Sequence, residues 1–225
     1  MPGAEWILAV YIGTAHTVSA PLHVTQPPTG TALTLSDVDY EGRSFTPPFY
    51  YGYRLSVFPR AATFGVEAEF IHLKAYAHTD RDTNIVGMLN HQAVDRRGRV
   101  NDVVERLSMS HGLNLILVNA VLRRTFPRHP NGAAAMQVAV RVGAGPTIPH
   151  PESIVAGASH EGYELGAAAL HAAAGVEYRL NRRFAVMAEY KFTHTAQRMT
   201  IARGAAEAAF ASHHGVAGVA WVVKR

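Results

Sequence analysis

The chain has 225 residues, 48% of them hydrophobic and only 17% charged, against roughly 25% charged in soluble proteins. It holds no cysteine, which excludes disulfide scaffolds, cysteine-ligated zinc and thiol nucleophiles. No run of about 18 apolar residues occurs, so a transmembrane helix is excluded. The 21 Lys and Arg, against 17 Asp and Glu, form no helix-borne stripe suited to nucleic acid.

A first strand is expected at about Glu5 to Thr14, where Trp6, Leu8, Val10 and Ile12 alternate with Ile7, Ala9, Tyr11 and Gly13. A long polar stretch follows, broken by Pro27-Pro28, Gly30 and Pro47-Pro48. Strand two, about Phe49 to Phe58, sets Phe49, Tyr51, Tyr53, Leu55 and Val57 against Gly52, Arg54 and Ser56. A short turn leads to strand three, Thr63 to about Ala77, with Phe64, Val66, Ala68 and Phe70 opposite Gly65, Glu67 and Glu69. His78 to Arg106 reads as a long polar connection. Strand four, about Leu107 to Phe126, puts Leu113, Leu115 and Leu117 on one face and Ser108, Ser110 and Asn114 on the other. With the leucines outward, Asn119 falls on the wrong face, so a bulge is expected.

Strand five, Met136 to about Gly145, turns Val138, Val140 and Val142 out and Gln137, Arg141 and Gly143 in. A Pro-rich loop spans Pro146 to Tyr163. Strand six is about Glu164 to Leu180, with His171 and Glu177 on its small-residue face. Asn181-Arg182 is a tight turn. Strand seven, Arg183 to about Thr195, sets Phe184, Val186, Ala188, Tyr190 and Phe192 against Glu189, Lys191 and Thr193. Strand eight runs from about Ala206 to Val223.

Connections after the odd strands are mostly long and those after the even strands short. An even strand count with connections sorted by side predicts an all-β fold, one eight-stranded antiparallel transmembrane β-barrel over residues 1–225, in a bacterial outer membrane with both termini periplasmic. Trp6, Phe58, Phe64, Phe126, Tyr178, Phe184 and Trp221 would form the periplasmic aromatic girdle. Arg60, Arg123, Arg124, Arg128, Arg179, Arg182, Arg183, Lys224 and Arg225 would meet anionic headgroups at that boundary. The opposite face carries Arg54, Glu67, Glu69, Arg141, Glu177, Glu189 and Lys191, which would pair and leave no open channel. Met1-Pro2-Gly3 runs straight into the first strand, so a secreted precursor would have carried an export signal that is shed here.

Thirteen histidines are present, and most fall in predicted outer loops, with His129 in a periplasmic turn. They are either ordinary polar loop residues or part of a divalent-metal site at the outer rim, where imidazole and carboxylate suit iron, zinc or manganese. His150-Pro151-Glu152 is the most ligand-like local cluster. Glu67 and Glu69 read as an acid–base pair or as partners of Arg54, Arg141 and Lys191. Ser212, His213 and His214 lack triad spacing.

Several segments carry a family resemblance. Glu41-Gly42-Arg43-Ser44-Phe45 followed by Pro47-Pro48-Phe49-Tyr50-Tyr51-Gly52-Tyr53-Arg54 resembles the outer-membrane lipid A oxidases. So do Gly112-Leu113-Asn114-Leu115 with Asn119, and Gly143-Ala144-Gly145 leading to Ile148-Pro149-His150. Glu189-Tyr190-Lys191 fits too, but is common in small barrels. The long Arg-rich stretch from His78 to Arg106 and the ending Trp221-Val222-Val223-Lys224-Arg225 depart from the pattern.

The resemblance implies a monomeric barrel enzyme. It would oxidise the proximal glucosamine of lipid A in lipopolysaccharide to 2-aminogluconate, with molecular oxygen as co-substrate and a divalent metal ion as helper. Arg43 and Ser44 would bind the substrate, and His16, His150 and Glu152 would hold the metal. Glu69 and His72 would be catalytic participants. The alternatives are an OmpA-like structural or adhesion barrel whose outer loops bind a partner, and a lipid A deacylase-type hydrolase.

Overall fold

The computed structural model describes residues 3–59, 62–127 and 134–224. Arg60, Arg128, His129 and Arg225 lie outside the described residues. Among the described residues, all regular structure beyond short 3-10 turns is β. The strands are β1 (Glu5–Gln26), β2 (Thr31–Glu41), β3 (Tyr51–Phe58), β4 (Phe64–Leu73), β5 (Tyr76–Ala77), β6 (Asp82–Leu89), β7 (Gln92–Arg99), β8 (Val104–Pro127), β9 (Ala134–Val155), β10 (Ala158–Glu161), β11 (Ala168–Arg179), β12 (Phe184–Ile201) and β13 (Gly204–Lys224).

Eight of these close into an antiparallel ring in the order β9-β11-β12-β13-β1-β3-β4-β8, with β8 pairing back to β9. Each corresponds to one of the eight expected strands. Thirteen strands form among the described residues: beyond the ring of eight, β2, β6, β7 and β10 form in stretches read as loops, and β5 is the end of expected strand three set apart from β4. β1 and β8 run 22 and 24 residues, about twice the nine to eleven that a tilted strand needs to cross an apolar layer. The connection expected between Thr195 and Ala206 is likewise a continued hairpin, with Ala202 and Arg203 joining β12 to β13.

In the lower part of the ring the outward face is apolar. Trp6, Val10, Ile12, Tyr53, Leu55, Val66, Val118, Val142, Val186 and Val219 are all exposed. The inward face holds the expected charges, now seen as one network. Arg54 meets Glu189 at 2.7 Å, Glu67 at 3.4 Å and Glu177 at 3.5 Å. Arg141 meets Glu189 and, at 3.2 Å, Glu67. Lys191 reaches Glu69 at 2.6 Å. Charges shut away from water persist only when paired in this way.

Above Thr14 the rule reverses. Leu22, Val24, Leu33, Leu35, Ile85, Met199 and Phe210 point inward and are buried, while His23, Thr25, Arg198 and Glu207 are exposed. Tyr40 packs edge-on against Phe210 at 5.1 Å. The upper strands therefore enclose an apolar core.

Three orientations differ from expectation. On β8 the leucines are inside: Leu113, Leu115 and Leu117 share the buried face with Asn119, and Ile116, Val118 and Leu122 point out. The bulge lies higher, between Met109 and Leu113. Phe58 follows the inward parity of Arg54 and Ser56 and is 2% exposed, so it leaves the girdle. Arg123 sits 3.5 Å over its ring and pairs with Glu5 at 2.6 Å, rather than meeting headgroups. Trp221 stacks on Phe184, with ring centres 6.4 Å apart, and both rings are exposed on the outward face.

Candidate functional site

β8 and β9 lose register where Ser110, His111 and Gly112 face the single residue His150. Gly112 makes this possible. Its φ is +110°, and a Cβ there would lie 2.5 Å from the His72 ring. The bulge swings His111 towards β9. β10 folds back on β9 and sets Glu161 beside Glu152. One ligand atom from each of His111, His150, Glu152 and Glu161 then lies within 4.8 Å of all the others.

The four side chains already touch one another. His111 Nδ1 is 3.4 Å from Glu152, and His150 Nε2 is 3.6 Å from Glu161. The imidazoles meet edge to face at 4.7 Å, and Tyr163 covers His150 at 4.3 Å. Arg106 holds the second Glu152 oxygen at 2.7 Å, and Ser110 donates to the first. His150 Nδ1 is buried without a partner. Two imidazoles and two carboxylates with ligand atoms this close together are a donor set that fits a divalent cation of the iron, zinc or manganese type.

The cluster belongs to the outer wall rather than the lumen. His150 and Glu152 continue the outward parity of Val140 and Val142, and His72 and Asn114 continue that of Phe70 and Ile116. It starts where the apolar face ends. His72 stacks on Tyr51 at 5.0 Å. Asn114 Nδ2 donates to the Ile148 carbonyl at 3.0 Å, so its Oδ1 accepts from His72 Nδ1 at 2.8 Å. That fixes the tautomer with the proton on Nδ1. His72 Nε2 is left as a buried acceptor with no partner.

A cationic strip adjoins the cluster. The Arg43 guanidinium lies 4.3 Å over Tyr76, whose other charged neighbours include Lys74, 5.7 Å from the ring centre, Glu152, Arg106 and Glu41. Arg43 Nε donates to Glu41 at 2.9 Å and holds that carboxyl below its ordinary range. Lys74 is buried and donates to the Thr46 carbonyl at 2.7 Å. Burial, reinforced by Arg43, keeps its ammonium below the usual lysine range.

The expected site residues divide. His150 and Glu152 come together, joined by His111 and Glu161, which the sequence reading missed. Gly112 beside His111 and the chain reversal at Gly157 are the signals that mark them. His16 is corrected out of the metal set: it pairs with His213 on β13, and β3, β4 and β8 separate β1 from β9. Arg43 is half-exposed at the rim. Ser44 is buried, and its Oγ accepts from the Ala15 amide at 3.1 Å, so it pins the loop to β1 instead of facing a ligand. Glu69 is corrected from a rim base to a plug member: it takes bonds from Lys191 at 2.6 Å, Tyr11 at 2.7 Å and Asn119 at 2.9 Å. Ser212 and His213 occupy opposite faces, and His214 is held by Tyr50 and Thr193, so no serine relay forms.

No family model matches the chain, and no curated protein matches it in sequence. Solved structures that resemble it include Neisserial surface protein A, at 11% identity over 98% of this chain and 99% of that one, with a TM-score of 0.40. Ail, the attachment invasion locus protein of Yersinia pestis, is 10% identical over 97% and 99%, with a TM-score of 0.35. The outer membrane protease OmpT from Escherichia coli is 7% identical over 97% and 96%, with a TM-score of 0.44.

Proposed function

We propose that the chain is an outer-membrane barrel that oxidises the proximal glucosamine of lipid A, with molecular oxygen as co-substrate and a divalent cation held by His111, His150, Glu152 and Glu161. One observation carries this reading. The cluster lies on the outward wall of the ring, at the level where the apolar face gives way to polar residues. A site for a soluble ligand gains nothing from that position, whereas the headgroup of an outer-leaflet glycolipid lies there.

When bound, the cation supplies a Lewis-acid centre that gathers oxygen and a sugar hydroxyl. The chain's own groups supply the rest. Arg106 fixes Glu152, and Tyr163 with the bulge shields His150 from water. Arg43 and Arg106 offer guanidinium donors to the phosphate and sugar oxygens of the headgroup. His72 Nε2, unprotonated and without a partner, is the acceptor for a substrate hydroxyl proton. The plug serves the fold and excludes transport through the lumen.

The test is mass spectrometry of lipid A, including forms lacking the proximal phosphate, incubated in air with the refolded protein. Gain of one oxygen, abolished by a chelator, is expected. Loss of an acyl chain would replace the oxidase with a hydrolase. An unchanged spectrum from a folded barrel would leave a structural or adhesion barrel.

A further inference from the structure

The upper sheet ends in an open edge. From β1 it runs through β2 and β6 to β7, and among the described residues β7 pairs with β6 alone. Asn90 and His91, both at positive φ, form the two-residue turn between β6 and β7. That turn makes Leu89 and Gln92 a hydrogen-bonded pair, and the ladder alternates from there. Gln92, Val94, Arg96 and Gly98 therefore direct their main-chain groups at β6. Those of Ala93, Asp95 and Arg97 point away from it, towards solvent.

Such an edge is a template for another strand unless it is bent, covered or guarded by charge. β7 keeps an unbroken register with β6 over its eight residues, and its exposed charges are of both signs. Arg96 meets Asp102 at 2.8 Å and Arg97 meets Asp82 at 3.6 Å, whereas Asp95 forms no ion pair among the described residues.

This charge order is self-complementary. With two copies of β7 antiparallel and Arg96 on the two-fold axis, Asp95 of each copy faces Arg97 of the other. Ala93 then faces Arg99, and Val94 faces Gly98. Opposite charges directly across a strand pair stabilise it and like charges destabilise it. An axis at Asp95 or at Arg97 would set like charges against each other. Asp95 and Arg97 also carry the outward main-chain groups, so each of their pairs exchanges both main-chain hydrogen bonds. Arg96 meets its own copy at the axis, each already held by its own Asp102.

We infer that β7 is a docking edge for β7 of a second copy of this chain, carried in a facing membrane. The opposed orientation follows from geometry. The two-fold of an antiparallel pair stands perpendicular to the sheet. β7 shares its sheet with β1, which continues down into the barrel wall. A half-turn about that axis reverses the barrel, so paired copies bridge two membranes instead of sharing one. A single short strand pair is weak, but many between apposed surfaces act together. The inference rests on the outer-membrane placement and uses neither the cation nor the oxidation.

Vesicle clustering tests it. The refolded chain is reconstituted into phosphatidylcholine vesicles, with a chelator present so that the cation cluster takes no part, and turbidity is read. The parent should cluster its vesicles. Asp95→Arg sets Arg against Arg and Arg97→Asp sets Asp against Asp, so each variant alone should lose the clustering. Vesicles of one variant mixed with vesicles of the other should cluster like the parent, because opposite charges face each other again. Urea unfolding checks that both variants are folded; each changes only an exposed side chain. Dispersed parent vesicles, clustering by either variant alone, or no rescue on mixing the folded variants would overturn the inference.

Discussion

In the lower ring Arg54, Glu67 and Glu189 point inward and Val10, Val142 and Val186 outward; in the upper ring Leu22, Leu35 and Phe210 point inward and His23 and Glu207 outward. The same continuous strands, β1, β9, β12 and β13, pass through both regions. What changes is the solvent outside. Lipid offers no hydrophobic gain for turning valine inward, so the lower interior is held by paired charges and hydrogen bonds. Water outside the upper wall restores the ordinary drive to bury leucine. The candidate cluster lies at the junction of the two regions.

The largest effect expected from breaking this contrast lies in the plug. Arg54→Met removes one of the two guanidiniums, the other being Arg141, that Glu189, Glu67 and Glu177 share, at a cost of about 3–5 kcal/mol. Urea unfolding in lipid vesicles reads it, and an unmoved midpoint would sink the plug account. In the upper core Leu35→Ala removes a fully buried side chain and should cost about 2–4 kcal/mol. Outward arginines sharpen the boundary. Val142→Arg should cost about 2–4 kcal/mol if its position is in lipid, whereas His23→Arg should stay within about 0.5 kcal/mol. Equal effects would erase the distinction between the two walls.

The smallest effect is electrostatic. Arg43 lowers the Glu41 carboxyl below its ordinary range. The pair's stabilisation is therefore present above the ordinary carboxyl value of about 4.3 and is lost as pH falls through the lowered one. A carbon-13 titration of Glu41 should show the depressed transition, and Arg43→Ala should return it to the ordinary range.

Where one face was apolar and the other charged, as in β3, β4, β9 and β12, alternation alone revealed which side faced in, and with it the plug. β8 was misread because both of its faces are apolar, Ile116 and Val118 outside against Leu115 and Leu117 inside. The upper strands looked like loops because their polar outer residues hid the inward series Leu22, Val24 and Leu33, Leu35. At the site, His150 and Glu152 stood out as neighbours in sequence. His111 and Glu161 arrive through a bulge and a folded-back strand, pairings that no local pattern encodes. His16 was misplaced because periodicity gives a residue's height on its strand and says nothing of its position around the ring.

Equilibrium manganese and zinc binding to the refolded chain, compared among His150→Ala, Glu161→Ala and His16→Ala, tests the central claim most directly. The account predicts one ion per chain, at least about tenfold weaker binding when His150 or Glu161 is removed, and parent-like binding in His16→Ala. No bound ion, or equal loss in all three variants, would contradict it.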